Sequence, residues 1–181
     1  RITDTDTPTL AGATNGNNTL TGDNNVNIID GLGGNDTIDA RGGNDLIRGG
    51  AGNDTMSGGS GTDTFVFQLA DKGTAGTPAA DVVTDIRAQA GDRLDLSDLL
   101  QGENHTTGIG NLLNYMSFEQ VGGNVLVHVS SAGSLDAGRT NVTAVEDQTI
   151  QLNTTTLLQL GGTDDTSIIT ALLANGKLIV D

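Results

Sequence analysis

Every ninth residue from position 20 to position 65 is apolar: Leu20, Ile29, Ile38, Ile47, Met56 and Phe65. Two residues before each stands an oxygen-bearing side chain: Asn18, Asn27, Asp36, Asp45, Asp54 and Asp63. At the chain's 35% apolar content, six hits at a preset spacing have a chance of about 0.002. Neither a helix nor a simple alternating strand keeps a period of nine. A repeated unit of one strand and one turn does.

Residues 13–66 divide into six such units. The clearest read GGAGNDTMS (49–57) and GGSGTDTFV (58–66); GLGGNDTID and ARGGNDLIR are close to them, whereas ATNGNNTLT and GDNNVNIID carry Asn in place of the Asp. Each copy splits into a six-residue turn and a three-residue strand. Glycine in the turn permits positive φ and close backbone approach. The strand triplet points its middle residue inward, because neighbouring strand residues face opposite sides. Successive triplets therefore lie on opposite walls, eighteen residues form one coil, and the six copies form about three coils. One wall is expected to carry Leu20, Ile38 and Met56, the other Ile29, Ile47 and Phe65.

Turns n and n+2 then stack about one strand spacing apart. Bare carboxylates at that spacing repel, and a cation between them removes the penalty. Calcium takes six to eight hard oxygen ligands and tolerates irregular geometry, so glycine-rich turns can supply carbonyls and the Asp a carboxylate. The expected ligand pairs are Asp36 with Asp54 and Asp45 with Asp63, with Asn18–Asp36 and Asn27–Asp45 as weaker pairs. The expected carbonyl donors are Gly31, Gly33 and Gly34; Gly42 and Gly43; Gly49, Gly50 and Gly52; and Gly58, Gly59 and Gly61. Asp81, Asp85 and Asp92, just past the repeats, read first as turn or capping acids, with a terminal calcium site as the alternative.

Composition agrees. A net charge of −15 argues against nucleic acid or an anionic membrane surface as partner and leaves a metal cation as the natural counter-charge. Aromatics make up 2% of the 181 residues, Gly numbers 27 and Cys is absent. Burial is scarce and disulfides are impossible, so calcium binding that occurs only in the folded state has to contribute folding free energy. No stretch approaches the 18 or so apolar residues of a membrane span. With Arg at position 1, the chain is expected to be the tail of a longer protein, with upstream domains among its partners.

Residues 1–12 fall outside the repeat register and read as a linker or N-terminal cap. After Val66 the composition changes. FVFQLA (65–70) reads as a closing strand; a Gly/Thr/Ala/Pro loop (73–80) follows, then DVVTDI (81–86) and DRLDLSDLL (92–100). GNVLVHVS (123–130) alternates as a half-buried strand, with QTIQL (148–152) and TLLQL (156–160) as weaker candidates. Residues 163–176 form the one convincing helix, with Ile168, Ile169, Leu172 and Leu173 on its apolar face and Gly176 as its stop; KLIVD closes as a strand. The fold class expected is all-β: a parallel β-roll over 13–66, then a β-rich capping unit over 67–181 with one short helix. His128 occupies the polar phase of an alternating strand and reads as solvent-facing; His105 carries no pattern. No nucleophile elbow or P-loop is present, since GGSGT breaks the first and GK (176–177) lacks the upstream glycine of the second. No enzyme is visible, and no catalytic or organic-cofactor residues are expected.

The nonapeptides at 31–66 resemble the RTX repeats of bacterial proteins exported by type I secretion. DVVTDI, GDRLDLSDLL and NGKLIVD look like the type I secretion target region that ends very large RTX adhesins. The resemblance implies a calcium-binding module of a secreted or cell-surface bacterial adhesin. It would be exported unfolded with its C-terminus leading, by type I secretion machinery that cleaves no signal, and would fold on extracellular calcium. RTX proteases, lipases and toxins share the roll, so the tail of one of these is the alternative. An ice-binding roll fits less well, because the outward positions Asn35, Asn44, Asn53 and Thr62 are split between two edges and few in number.

Overall fold

The computed structural model describes residues 13–86, 91–104, 108–136 and 138–180; the linker or cap expected over 1–12 and His105 lie outside these residues. Each repeat triplet forms a strand: β1 (Thr19–Thr21), β2 (Ile28–Asp30), β3 (Thr37–Asp39), β4 (Leu46–Arg48), β5 (Thr55–Ser57) and β6 (Thr64–Val66). Odd and even strands separate onto two parallel walls. Leu20 pairs with Ile38 and Ile38 with Met56 on one wall; Ile29 pairs with Ile47 and Ile47 with Phe65 on the other. All six side chains are buried and face each other across the roll. The eighteen-residue coil read from the sequence is the observed one.

Both walls continue past Val66, where the nine-residue register ends. β7 (Ala79–Val83) adds to the first wall, setting Val83 opposite Met56, and β8 (Arg93–Asp95) adds to the second, setting Leu94 opposite Phe65. The first wall then grows through the edge hairpin β9 (Met116–Val121) and β10 (Asn124–Val129), with β11 (Gln148–Leu152) inserted parallel to β7 and antiparallel to β10. β12 (Leu178–Ile179) closes the second wall beside β8. The sheet orders are β1-β3-β5-β7-β11-β10-β9 and β12-β8-β6-β4-β2. The break at Val66 is thus one of sequence register, and the hydrogen-bonded walls run through it. A single apolar cluster runs from Leu20 through Phe65 and Leu94 to Ile150 and Ile168.

Several local expectations are corrected. The strand expected over 65–70 ends at Val66. TLLQL forms no strand: Leu157–Leu160 is a short helix, α2, because Thr156 and Gln159 make a reciprocal capping box and Gly161 ends it at φ 117°. A further turn of helix, α1, spans Val142–Val145, so the described residues after Val66 hold three short α-helices where one was expected. Strand β9 is an element beyond those expected, and Gly122-Gly123 between two extended runs is its hairpin signal. The expected helix is present as α3 (Asp165–Ala174), capped by Asp164 and burying Ile168, Ile169 and Leu172. His128 is not solvent-facing. It is 7% exposed, with Nδ1 2.6 Å from Glu146 Oε2 and Nε2 3.3 Å from Glu119 Oε2. Glu146 and Glu119 close over the face of β10 that carries it, so alternation along the strand does not mark an open face.

One turn position separates weak from strong copies. Gly50 and Gly59 have φ of 98° and 83°; one coil earlier, Leu32 and Arg41 hold the same left-handed backbone at 72° and 71°. Left-handed backbone costs an L-residue about 1–2 kcal/mol, and the Leu32 side chain is 45% exposed, so little burial offsets it. Glycine gives back about 0.4–1 kcal/mol through the unfolded chain. Leu32→Gly is therefore expected to raise stability by up to about 1 kcal/mol. Urea midpoints in saturating calcium check this, and a clear loss of stability would contradict the strain argument.

Candidate metal centre

Two ladders of side-chain-to-backbone hydrogen bonds hold the turns together, and they run in opposite directions. In the first, the backbone N–H of each turn donates to the side-chain oxygen of the turn one coil earlier: Asn35 to Asn17 (2.8 Å), Asn53 to Asn35 (3.0 Å), Ala80 to Asn53 (3.0 Å) and, on the other edge, Thr62 to Asn44 (2.9 Å). In the second, the donation points one coil later, into carboxylates. Asn18 N–H donates to Asp36 Oδ1 (2.7 Å), Asp36 to Asp54 (2.8 Å) and Asp54 to Asp81 (2.8 Å). Along the other edge Asn27 donates to Asp45 (2.7 Å), Asp45 to Asp63 (2.9 Å) and Asp63 to Asp92 (3.1 Å).

The second carboxylate oxygen is different. Oδ2 of Asp36, Asp45 and Asp54 is fully buried and accepts no hydrogen bond from the protein. Burying an ionised oxygen without a partner is among the costlier things a fold can do. The space beside it is kept open by glycine. A Cβ placed on Gly31 would lie 2.3 Å from Asp36 Oδ2 and 2.3 Å from the Gly49 carbonyl oxygen. On Gly49 it would lie 2.2 Å from Asp54 Oδ2, and on Gly58 2.3 Å from Asp63 Oδ2. Each seat thus joins a carboxylate oxygen to turn backbone, and at Asp36 a carbonyl of the next coil faces it. No three acidic or histidine side chains converge on one point among the described residues. Main-chain carbonyls must then supply most of the ligands, which suits calcium and disfavours metals that want nitrogen or sulfur.

The electrostatics point the same way. Burial, above all, pushes Asp45 and Asp54 up to about 6 and Asp81 up to about 7 from 3.8, and raises Asp36 as well. Neighbouring carboxylates add to this: Asp63 and Asp23 act on Asp45, and Asp36 and Asp71 act on Asp54. A dication in the seats reverses both effects.

The expected pairs Asp36–Asp54 and Asp45–Asp63 do stand on consecutive coils. Asn18 and Asn27 differ from them, because Oδ1 of each accepts its own turn's backbone, from Thr14 (2.7 Å) and Asp23 (2.9 Å). Among the expected glycines, Gly31, Gly49 and Gly58 border the carboxylate seats, and Gly33 and Gly42 bridge to Ala51 and Ser60 in the next coil. Gly50 and Gly59 approach the Leu32 and Arg41 carbonyls, and Gly52 and Gly61 pack on the carbonyls of Gly34 and Gly43. These last glycines let the turns stack. Sequence reasoning passed over the Ala40 carbonyl, which faces Asn27 Oδ1 across Gly22 just as Gly49 faces Asp36 across Gly31. It also undervalued Asp81 and Asp92, which continue the carboxylate ladders. Their signal was the Asp-x-apolar triplet, Asp81-Val82-Val83 and Asp92-Arg93-Leu94, hidden because spacings of 27 and 29 replace 18. Asp85 is the capping acid, accepting from Gly58 N, Gly59 N and Ser57 Oγ.

A parallel β-roll with carboxylate-and-carbonyl seats on its turns defines a calcium-binding repeat module. Residues 13–38 and 30–65 match the RTX calcium-binding nonapeptide repeat (4 copies). The chain contains an RTX-repeat module, and its ion is calcium. Among solved structures, the solution structure of the AlgE6R3 subunit of the Azotobacter vinelandii mannuronan C5-epimerase is similar at TM-score 0.55 and 25% identity, over 79% of this chain and 74% of that one. The AlgE6R2 subunit of the same enzyme is similar at TM-score 0.52 and 25% identity, over 94% of both chains. No curated protein matches the chain.

Two predictions follow from the geometry. Gly49→Ala, which places a methyl group in the Asp54 seat, is expected to weaken calcium binding at least tenfold by calorimetry, whereas Gly123→Ala, with open space around it, leaves binding unchanged. The second concerns pH. Folded-state values of about 6 to 7 lie above the unfolded 3.8, so the calcium-free fold binds extra protons in that window; its stability is greatest below 3.8 and is lost as pH rises through 6 to 7. Calcium needs the ionised form. In chelator, β-sheet circular dichroism is expected to be stronger at pH 5 than at pH 7.5, while the calcium concentration at half-saturation rises severalfold on the same acidification. Opposite trends would contradict the burial of these carboxylates.

Proposed function

We propose that this chain is the calcium-triggered folding and export module at the C-terminal end of a large secreted or cell-surface bacterial RTX adhesin. Residues 13–66 serve as the calcium roll, with Asp36, Asp45, Asp54 and Asp63 as carboxylate ligands, turn carbonyls completing each site, and Asn18 and Asn27 at the weak end. Residues 67–181 cap the roll and carry the type I secretion address. The module acts by binding and folding and catalyses no reaction.

The observation that supports this best is the set of buried, unpartnered Oδ2 atoms of Asp36, Asp45 and Asp54 beside glycine. At sub-micromolar calcium these oxygens oppose folding, and a glycine-rich segment with few apolar residues stays disordered. At millimolar calcium they become ligands and the coils close. Folding outside the cell would also hinder return through an export channel. The address reading draws on α3 and β12, whose Ile168, Ile169, Leu172 and Leu178 are buried in the folded chain and are accessible to a reader only before folding. A second reading has a specific support: the likeness over 94% of both chains to a repeat subunit of an epimerase favours the same module attached to a secreted enzyme. Upstream sequence separates the two by the presence or absence of a catalytic domain.

The test follows the chain through both steps. In chelator at neutral pH the far-UV spectrum is expected to show disorder over the roll, with β-sheet signal returning at millimolar calcium and poorly with magnesium. Equal β content in both conditions would overturn calcium-triggered folding. In a cell with a matching type I exporter, deletion of 163–181 is expected to retain the protein, and fusing 163–181 to an unrelated unfolded passenger to release it. Export of the truncated chain at normal yield would remove the address and leave only the cap.

A further inference from the structure

The carboxylate ladder on the Asp36 edge has to end somewhere, and its last member is treated differently from the others. Asp81 is a full member of the ladder: its Oδ1 accepts the Asp54 backbone N–H at 2.8 Å, as Asp54 Oδ1 accepts that of Asp36. It is also as deeply placed, at 5% exposure. Yet its Oδ2 is not left bare. Gln148 Nε2 donates to it at 2.8 Å, and the same nitrogen donates to the Thr149 carbonyl at 3.1 Å.

Gln148 is itself 2% exposed, so this amide is built into the core of the junction and is no chance surface contact. Strand pairing puts it there: β11 lies parallel to β7 with Gln148 opposite Ala79, two residues before Asp81. The neighbouring carboxylate is occupied by a protein group too. Asp71 is held by Arg48 through Nε (2.8 Å) and Nη2 (2.9 Å), and Arg48 also reaches Asp30 at 3.1 Å. Gly49, Asp71, Asp81 and Gln148 line one small cavity beside turn 49–54. Every carboxylate past Asp54 on this edge therefore meets a nitrogen donor from the protein where the repeat carboxylates offer a bare oxygen.

We propose that Gln148 is the terminator of the calcium column on this edge: its amide nitrogen takes the place at Asp81 that calcium takes at Asp36 and Asp54, so that Asp81 is a structural member of the ladder and not a calcium ligand. This rests on the assignment of Asp36 and Asp54 as ligands. It has two consequences. The number of ions on this edge is set by a residue 67 positions away in sequence from the carboxylate it caps. The β5–β7–β11 junction is also complete without metal, so the capping unit can join the first wall before the coils fill with calcium.

The test counts calcium bound per chain by equilibrium dialysis at saturation, using the full chain. Asp36→Asn is expected to bind one ion fewer than wild type, and Asp81→Asn the same number as wild type, because the Gln148 amide can turn over to serve the new amide. Loss of an ion in Asp81→Asn while Asp36→Asn also loses one overturns the terminator role. An unchanged count in Asp36→Asn contradicts the ligand assignment itself, which separates the two failures. If Asp81→Asn does not fold, Gln148→Glu decides: replacing the donor by a carboxylate is expected to recruit one additional ion, and a folded variant with the wild-type count overturns the proposal.

Discussion

The fold depends on a carboxylate that is only half satisfied by protein. Oδ1 of Asp36, Asp45 and Asp54 takes a backbone N–H from the preceding coil, which fixes the position of the side chain; Oδ2 of these three is then held in a buried seat where the protein offers no donor. Because the first oxygen is fixed, the second cannot swing out to water without breaking the stacking of two turns. Cation binding and coil stacking are therefore the same event. With one inward apolar side chain per nine residues, burial alone gives the roll little to offset the ordering of its backbone.

The two opposed ladders explain the residue types around this carboxylate. The Asn ladder points one way and the Asp ladder the other, so neighbouring N–H groups of each turn are satisfied by adjacent coils on both sides. Neither ladder needs water, which lets the turns pack glycine against carbonyl, as Gly52 does on Gly34 and Gly61 on Gly43. An Asn at the Asp position behaves otherwise: Asn18 and Asn27 close on their own turns through Thr14 and Asp23. An amide is uncharged and carries its own donor, so it calls less strongly for a cation than a carboxylate does. The degenerate copies thus close on themselves instead of presenting a bare oxygen.

Much of this was legible because the period is rigid. Nine-residue spacing gave the inward residues, the assignment of alternate strands to opposite walls and the pairing of Asp36 with Asp54, since each follows from counting along a strand-and-turn unit. What counting could not deliver lies wherever loops of other lengths intervene. Asp81 and Asp92 continue the ladders after 27 and 29 residues, and only the folded walls reveal them. The α2 helix was misread because LLQL is too short for its period to be told from a strand, although Thr156 and Gln159 already spelled a capping box. The exposure assigned to His128 failed because alternation reports two faces and does not say which is covered. The Ala40 carbonyl leaves no mark in the sequence, because a carbonyl ligand needs only main chain in the right place and no particular residue type.

The position of the acidic residues gives the roll a direction. On the Asp36 edge the ladder starts at an amide, Asn18, passes through three carboxylates and stops where another amide, Gln148, meets the last of them. The bare oxygens lie between these amides, in the coils that calcium can reach. The far end is also tied into the larger apolar cluster, through Val83 opposite Met56 and Leu94 opposite Phe65. Those contacts require no metal. The capping strands give the roll a preformed edge at β7 and β8, so closure of the roll is expected to spread from there back toward β1, each coil providing the N–H acceptors for the one before it.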